Sequence, residues 1–329
     1  MEQELIRQTK AHFSKLGLMY FLGSLIITGG QYLCIFIARA IHPSLLENYN
    51  YAMLIQMLPM YAVTMPLTAL FIHFVPAGQP IPKKSMKVWQ WLLAFMMCYG
   101  ATYASNIVGN SITQLIGAIK GEAVQNEIFY VMRNLSPLTS IIITVILAPI
   151  MEEFLFRKLL IDRTIQYGEG VSIVFSGLLF GLFHGNLNQF AYAFVIGMFF
   201  GFIYAKTGKL HYSIFMHMGI NFASSLTMIL IKISGLDMIF DPSFDPFSLL
   251  WEAMVNFIPF FLLICHLLAL FGITVTGIIL WFFNLKKMTL YRTNLSVPNG
   301  MRFSTYILNV GMILFCVLWI IQIIIQLFQ

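Results

Sequence analysis

Long apolar stretches alternate with short polar segments from one end of the chain to the other. A helix needs around 20 residues to cross about 30 Å of hydrocarbon. On that rule the pattern predicts spans near 17–40, 51–76, 88–117, 137–160, 171–186, 188–206, 211–233, 254–285 and 304–328. The fifth is short for a crossing and the eighth is long. Pro259 predicts an interfacial turn ahead of the eighth. The expected fold is all-α, a polytopic helical membrane protein with about eight or nine transmembrane helices. It forms a single membrane domain over 1–329, with N-terminal helices in 1–136, a central part in 137–233 and C-terminal helices in 234–329.

Composition sharpens this picture. The 329 residues are 59% hydrophobic and only 10% charged, against roughly 25% charged in soluble domains. The formal charge of +6 therefore reports orientation, not nucleic-acid binding. With the N-terminus on the cytoplasmic side, the inner segments hold Arg7, Lys10, Lys15, Lys83, Lys84, Lys87, Arg157, Lys158, Arg163, Lys206, Lys209, Lys286, Lys287, Arg292 and Arg302. The outer segments hold Arg39, Lys120, Arg133 and Lys232, and the outer loop at 234–247 carries three Asp and no cation. That asymmetry follows the positive-inside rule. The first apolar run is too long for a signal-peptide core and reads as a retained span. Cys34, Cys98, Cys265 and Cys316 show no metal-finger spacing and read as packing residues. The residue usage points to a bacterial plasma membrane.

Ionisable residues inside apolar spans are costly and mark functional candidates. Glu152 and Glu153, in "MEEFLFR", are the two acids well within a span, and Glu252 stands at the edge of another. Glu153 and Arg157 are four apart, so they share a helix face and can pair. Glu152 lies about 100° round the helix, free for chemistry. The competing reading is one buried ion-pair cluster holding helices together. Phe180 and His184 follow on the next span, also four apart. Ser213, His217, Asn221 and Ser225 then form a polar stripe at successive steps of four. Such a stripe faces the bundle interior or a water-filled cavity, or bonds across to a neighbouring helix. His73 and His266 stand alone among apolar neighbours and read as hydrogen-bonded core residues. Gly177/Gly181 and Gly197/Gly201 are small-residue pairs that suit close helix packing.

A glutamate, a histidine and a His–Asn pair on three neighbouring helices can carry out hydrolysis. A desolvated glutamate can act as general base, and a neutral imidazole can share the proton. A second histidine and an amide can donate to an oxyanion. The same residues could instead bind zinc through Glu152, His184 and His217. No H-E-x-x-H, no G-x-S-x-G and no pair of intramembrane aspartates is present.

The motifs E-E-x-x-x-R, F-x-x-x-H and H-x-x-x-N read here as Glu152-Glu153-Phe-Leu-Phe-Arg157, Phe180-Gly-Leu-Phe-His184 and His217-Met-Gly-Ile-Asn221. In that order, on consecutive spans, they resemble the CAAX protease and bacteriocin-processing enzyme family of intramembrane endopeptidases. The resemblance covers roughly 137–233. It implies a helical fold around a water-accessible cavity and a peptide or lipidated-protein substrate, with membrane lipids as surroundings and no nucleic acid. It implies that Glu152 and His184 activate water and that His217 and Asn221 form an oxyanion site. Glu153, Arg157 and Phe180 are then supporting residues. It also implies metal-independent chemistry with no cofactor. The competing readings are a non-catalytic bacteriocin-immunity or scaffold protein of the same fold, and a transporter with a carboxylate proton relay.

Depth adds one more expectation. His184 can meet Glu152 if the fourth helix runs past Leu160 or if the spans tilt; the expected case is a helix continuing to about Tyr167, with "GEG" as its stop. A cavity open toward the cytoplasm is expected with it.

Overall fold

The computed structural model describes residues 2–124, 126–240 and 245–328. Among these residues there is no strand, and eight helices are long and apolar enough to cross a membrane. A ninth, shorter apolar helix is Glu169–Phe183. The protein is an integral, multi-pass, all-α membrane protein. We number the nine helices α1 (Glu2–Ile41), α2 (Tyr49–His73), α3 (Val88–Lys120), α4 (Pro137–Tyr167), α5 (Glu169–Phe183), α6 (Leu187–Thr207), α7 (Leu210–Ile233), α8 (Phe257–Lys287) and α9 (Val310–Leu327). They coincide in order with the nine predicted spans.

The differences lie at the ends. The polar N-terminal tail is the first part of α1. Pro246–Val255 forms a separate short helix that stops at Asn256. The break thus precedes Pro259, which sits in the first turn of α8, where proline is tolerated. Residues 302–306 likewise form their own short helix ahead of α9. In the outer loop, Asp237 and Asp245 are described, whereas Asp241 lies outside the described residues.

The helix registers can be read from cross-links. Gly311 N donates to Ser14 Oγ at 3.2 Å, and Trp319 Nε1 to Ser24 Oγ at 3.2 Å, so α1 and α9 run parallel. Tyr20 Oη donates to the Leu155 carbonyl at 2.6 Å, and His12 Nε2 meets the Arg163 carbonyl at 2.9 Å, so α4 runs antiparallel to α1. The paired glycines do bring α5 and α6 together. The Cα of Gly177 lies 2.8 Å from where a Cβ would stand on Gly197.

The basic residues gather at one end of the bundle. There Lys206 pairs with Glu169, Tyr204 Oη donates to Asp162 at 2.8 Å, and Lys84 N donates to the Thr207 carbonyl at 2.8 Å. Arg157 does not belong to this belt. It is fully buried in the bundle, so it carries no information on orientation. Of the lone histidines, His266 bonds Thr227 Oγ1 at 3.0 Å as expected, whereas His73 is exposed at the end of α2. Cys98 is buried, Cys34 and Cys316 are partly so, and Cys265 is exposed on the outside of α8.

The crossing of α3 and α8 depends on Gly100 and Gly277, where a Cβ at 277 would overlap the Met96 carbonyl. Gly277→Leu is expected to push these helices apart at a cost of about 1–3 kcal/mol. The measurement is thermal unfolding in detergent, and an unchanged midpoint would refute this packing.

Candidate active site

Helix α4 carries the acids in an unusual stretch of backbone. The regular turn Ala148–Glu153 is flanked by two widened segments with i→i+5 bonding, Ile141–Leu147 and Phe154–Leu159. Wide turns of this kind are rare and recur at functional sites. The helix then runs on to Tyr167, where Gly168 at φ 117° ends it. This is the extension that the depth argument expects. Glu152 lies 15 residues before Tyr167, and His184 lies 15 after Glu169. Both therefore stand about 22 Å from the basic end at 1.5 Å per residue.

Glu153 and Arg157 pair as the spacing predicts, with Arg157 Nε 3.1 Å from Glu153 Oε2 and both side chains fully buried. The rest of the guanidinium finds no hydrogen-bond partner among the described residues. It faces aromatic rings instead. Its carbon lies 4.3 Å from the Phe180 centroid and 5.3 Å from that of Phe200, within cation–π range. Phe180 also packs edge-on against His184 at 4.7 Å and His217 at 5.8 Å. It is thus the partition that keeps Arg157 and both imidazoles in place.

His184 caps the end of α5. Its Nδ1–H donates to the Phe180 carbonyl at 2.8 Å, which leaves Nε2 as the acceptor. Gly185 then turns the chain at φ 67°, pressed against Trp319 and Gln322 of α9. A side chain there would strain the turn and strike α9.

The polar stripe of α7 faces α4 and bonds to it. His217 stands between the two acids, with Nδ1 3.1 Å from Glu153 Oε1 and Nε2 3.8 Å from Glu152 Oε2. Asn221 Nδ2 donates to the Thr144 carbonyl at 2.7 Å, and Ser225 meets Ser140 at 3.0 Å. Ser213 bonds its own helix at Leu210.

Beyond Glu152 and His184 lies a cavity of about 520 Å³. It exists because α5 has only 15 residues. The α5–α6 hairpin stops short of a full crossing, so α1, α2 and α9 enclose empty space past its tip. Glu152, His184, Gln31, Gln56, Trp319 and Gln322 are on its wall. His217 and Asn221 are not. His217 stands behind Glu152, 3.8 Å from its carboxylate, and Asn221 bonds the α4 backbone at Thr144. The expected direction of opening is also corrected. The cavity wall on α1 is Leu25–Ile35, past the level of Tyr20 and Leu155. It therefore extends away from the basic end, because the empty space lies past the hairpin tip and not beneath it.

Sequence reasoning overlooked Gln31, Gln56 and Gln322. Their signal was available, since a primary amide in an apolar span is costly in the same way as a charge. Among the described residues no three His, Cys, Asp or Glu side chains are grouped as a metal ion requires. Glu152, His184 and His217 do not fit a shared ion in this arrangement.

Arg157→Ala would leave the Glu153 carboxylate buried without its cation. Such a loss costs about 3–5 kcal/mol, whereas removing both charges together is far milder. Arg157→Met with Glu153→Gln should therefore recover most of the stability lost in Arg157→Met alone. Unfolding midpoints of the three variants in detergent check this, and equal losses in single and double variants would refute it.

Comparison with known proteins matches this same part of the chain. Residues 134–223 match the family described as type II CAAX prenyl endopeptidase Rce1-like. A curated protein of Bacillus subtilis (strain 168), named "Putative membrane peptidase YdiL", is 30% identical over 125 residues. The match spans 37% of this chain and 49% of that protein, so the chain covers about half the length of the relative. No solved structure matches. Residues 134–223, which hold the three motifs, are thus similar to the type II CAAX prenyl endopeptidases.

Proposed function

We propose that the protein is an intramembrane endopeptidase that hydrolyses a peptide bond in a membrane-associated substrate. The observation that carries the reading is that Glu152 and His184, from different helices, reach one depth and line one cavity. The family match and the membrane-peptidase relative support it. In this reading a water held between Glu152 and His184 Nε2 loses a proton to Glu152. The resulting hydroxide attacks the scissile carbonyl, and the proton passes to the leaving amine.

His217 has a further part. With Nδ1–H directed to Glu153, its Nε2 faces Glu152. It can hold the proton that Glu152 accepts while the tetrahedral intermediate lasts. Asn221 retains one amide N–H beyond its bond to Thr144. An oxyanion role for His217 and Asn221 requires substrate to draw them to the cavity wall. Glu153, Arg157 and Phe180 position the others. The reaction uses no metal in this reading. Orientation follows the charge belt, with the N-terminus cytoplasmic in a bacterial plasma membrane.

The test compares peptide termini in matched cells that make the native chain or Glu152→Gln at equal membrane levels. New termini are expected only with the native chain, and His184→Ala should lower their yield at least a hundredfold. Terminus maps that coincide would refute proteolysis and favour the immunity or scaffold reading. A chelator should leave the purified activity within twofold. Loss of activity that zinc restores would instead make Glu152, His184 and His217 metal ligands.

A further inference from the structure

The geometry points to the kind of peptide this site takes: an internal, extended, uncharged stretch, not a chain cut beside its free C-terminal carboxylate. This inference rests on the peptidase reading and narrows it.

Three glutamines from three helices share the cavity with Glu152: Gln31 of α1, Gln56 of α2 and Gln322 of α9. Gln31 Nε2 meets only the sulfurs of Met57 and Met60, at 3.9 and 3.3 Å. The amides of Gln56 and Gln322 have no hydrogen-bond partner among the described residues. A primary amide offers two donors and an acceptor. A peptide unit offers one of each. Two free amides and a third held only by sulfur, on three sides of the cavity, thus complement the backbone of an extended chain without reading its side chains.

The charge distribution excludes a carboxylate. Among the described residues on the cavity wall, Glu152 is the one acid, and there is no Lys or Arg. An extended chain advances about 3.3 Å per residue. A terminal carboxylate three residues past the cut would therefore sit about 10 Å from Glu152, within the cavity. It would meet a second anion and no cation, whereas carboxylate recognition relies on Arg, Lys or clustered backbone N–H groups. Arg157 cannot serve, being fully buried and paired with Glu153.

The entrance favours the same occupant. Helices α1 and α9 touch at Ser24 and Trp319, and the cavity lies past that contact. Leu25 and Tyr32 of α1 and Gln322 of α9 are on the cavity wall and are exposed. The mouth is therefore a lateral gap between α1 and α9, facing the surroundings in which an apolar peptide segment resides.

The test uses the full chain in detergent micelles and a pool of synthetic 14-residue apolar peptides without charged side chains. One half of the pool ends in a free carboxylate and the other in an amide. Mass spectrometry locates the cuts, with Glu152→Gln as the blank. Expected are cuts six or more residues from the C-terminus, at rates within twofold for acid and amide forms. Gln322→Ala should lower kcat/KM about tenfold. Gln56→Arg should create at least fivefold more cutting within four residues of a free carboxylate. Cuts by the native chain near the C-terminus that fall tenfold on amidation would overturn the inference and leave the peptidase standing. No product above the blank in either pool would remove both.

Discussion

The architecture turns on one interaction, the ion pair of Glu153 with Arg157 sealed inside the helical bundle. Two opposite charges without solvent hold together only if each is compensated. Here the guanidinium has one carboxylate and two aromatic faces, and the carboxylate has the guanidinium and His217. Removing Arg157 or Glu153 alone leaves a buried charge whose desolvation nothing offsets. That requirement binds α4, α5, α6 and α7 to a single arrangement, since Phe180 lies on α5, Phe200 on α6 and His217 on α7.

Because Glu153 takes up the buried cation, Glu152 is left to face the cavity. Two adjacent residues of the same type thus have opposite fates, decided by 100° of helix rotation. His217 links the two acids, one imidazole nitrogen to each. The buried ion pair and the acid on the cavity wall are in this way connected by a single ring.

The empty space follows from chain length alone. A helix of 15 residues covers about 22 Å, less than the hydrocarbon thickness. The hairpin tip at His184 therefore lies inside the bundle, and the longer helices around it cannot close over the tip. Gly185 makes this possible, since its left-handed conformation and missing side chain let the tip press against α9.

The sequence by itself determined the number and order of the helices, the Glu153–Arg157 pairing and the continuation of α4 to Tyr167. These depend on local quantities: apolar run length, residue spacing along one helix and the conformational freedom of Gly168. It also marked the candidate residues for chemistry, because charge in an apolar span is costly. Only the tertiary structure decided which side of α4 each motif meets. His217 and Asn221 contact α4 itself, whereas Gln31, Gln56 and Gln322 from the first, second and last helices complete the cavity wall. Those residues are far apart along the chain, and no spacing rule relates them. Their meeting, and the end of the bundle toward which the cavity extends, depends on how nine helices of unequal length pack around one short hairpin.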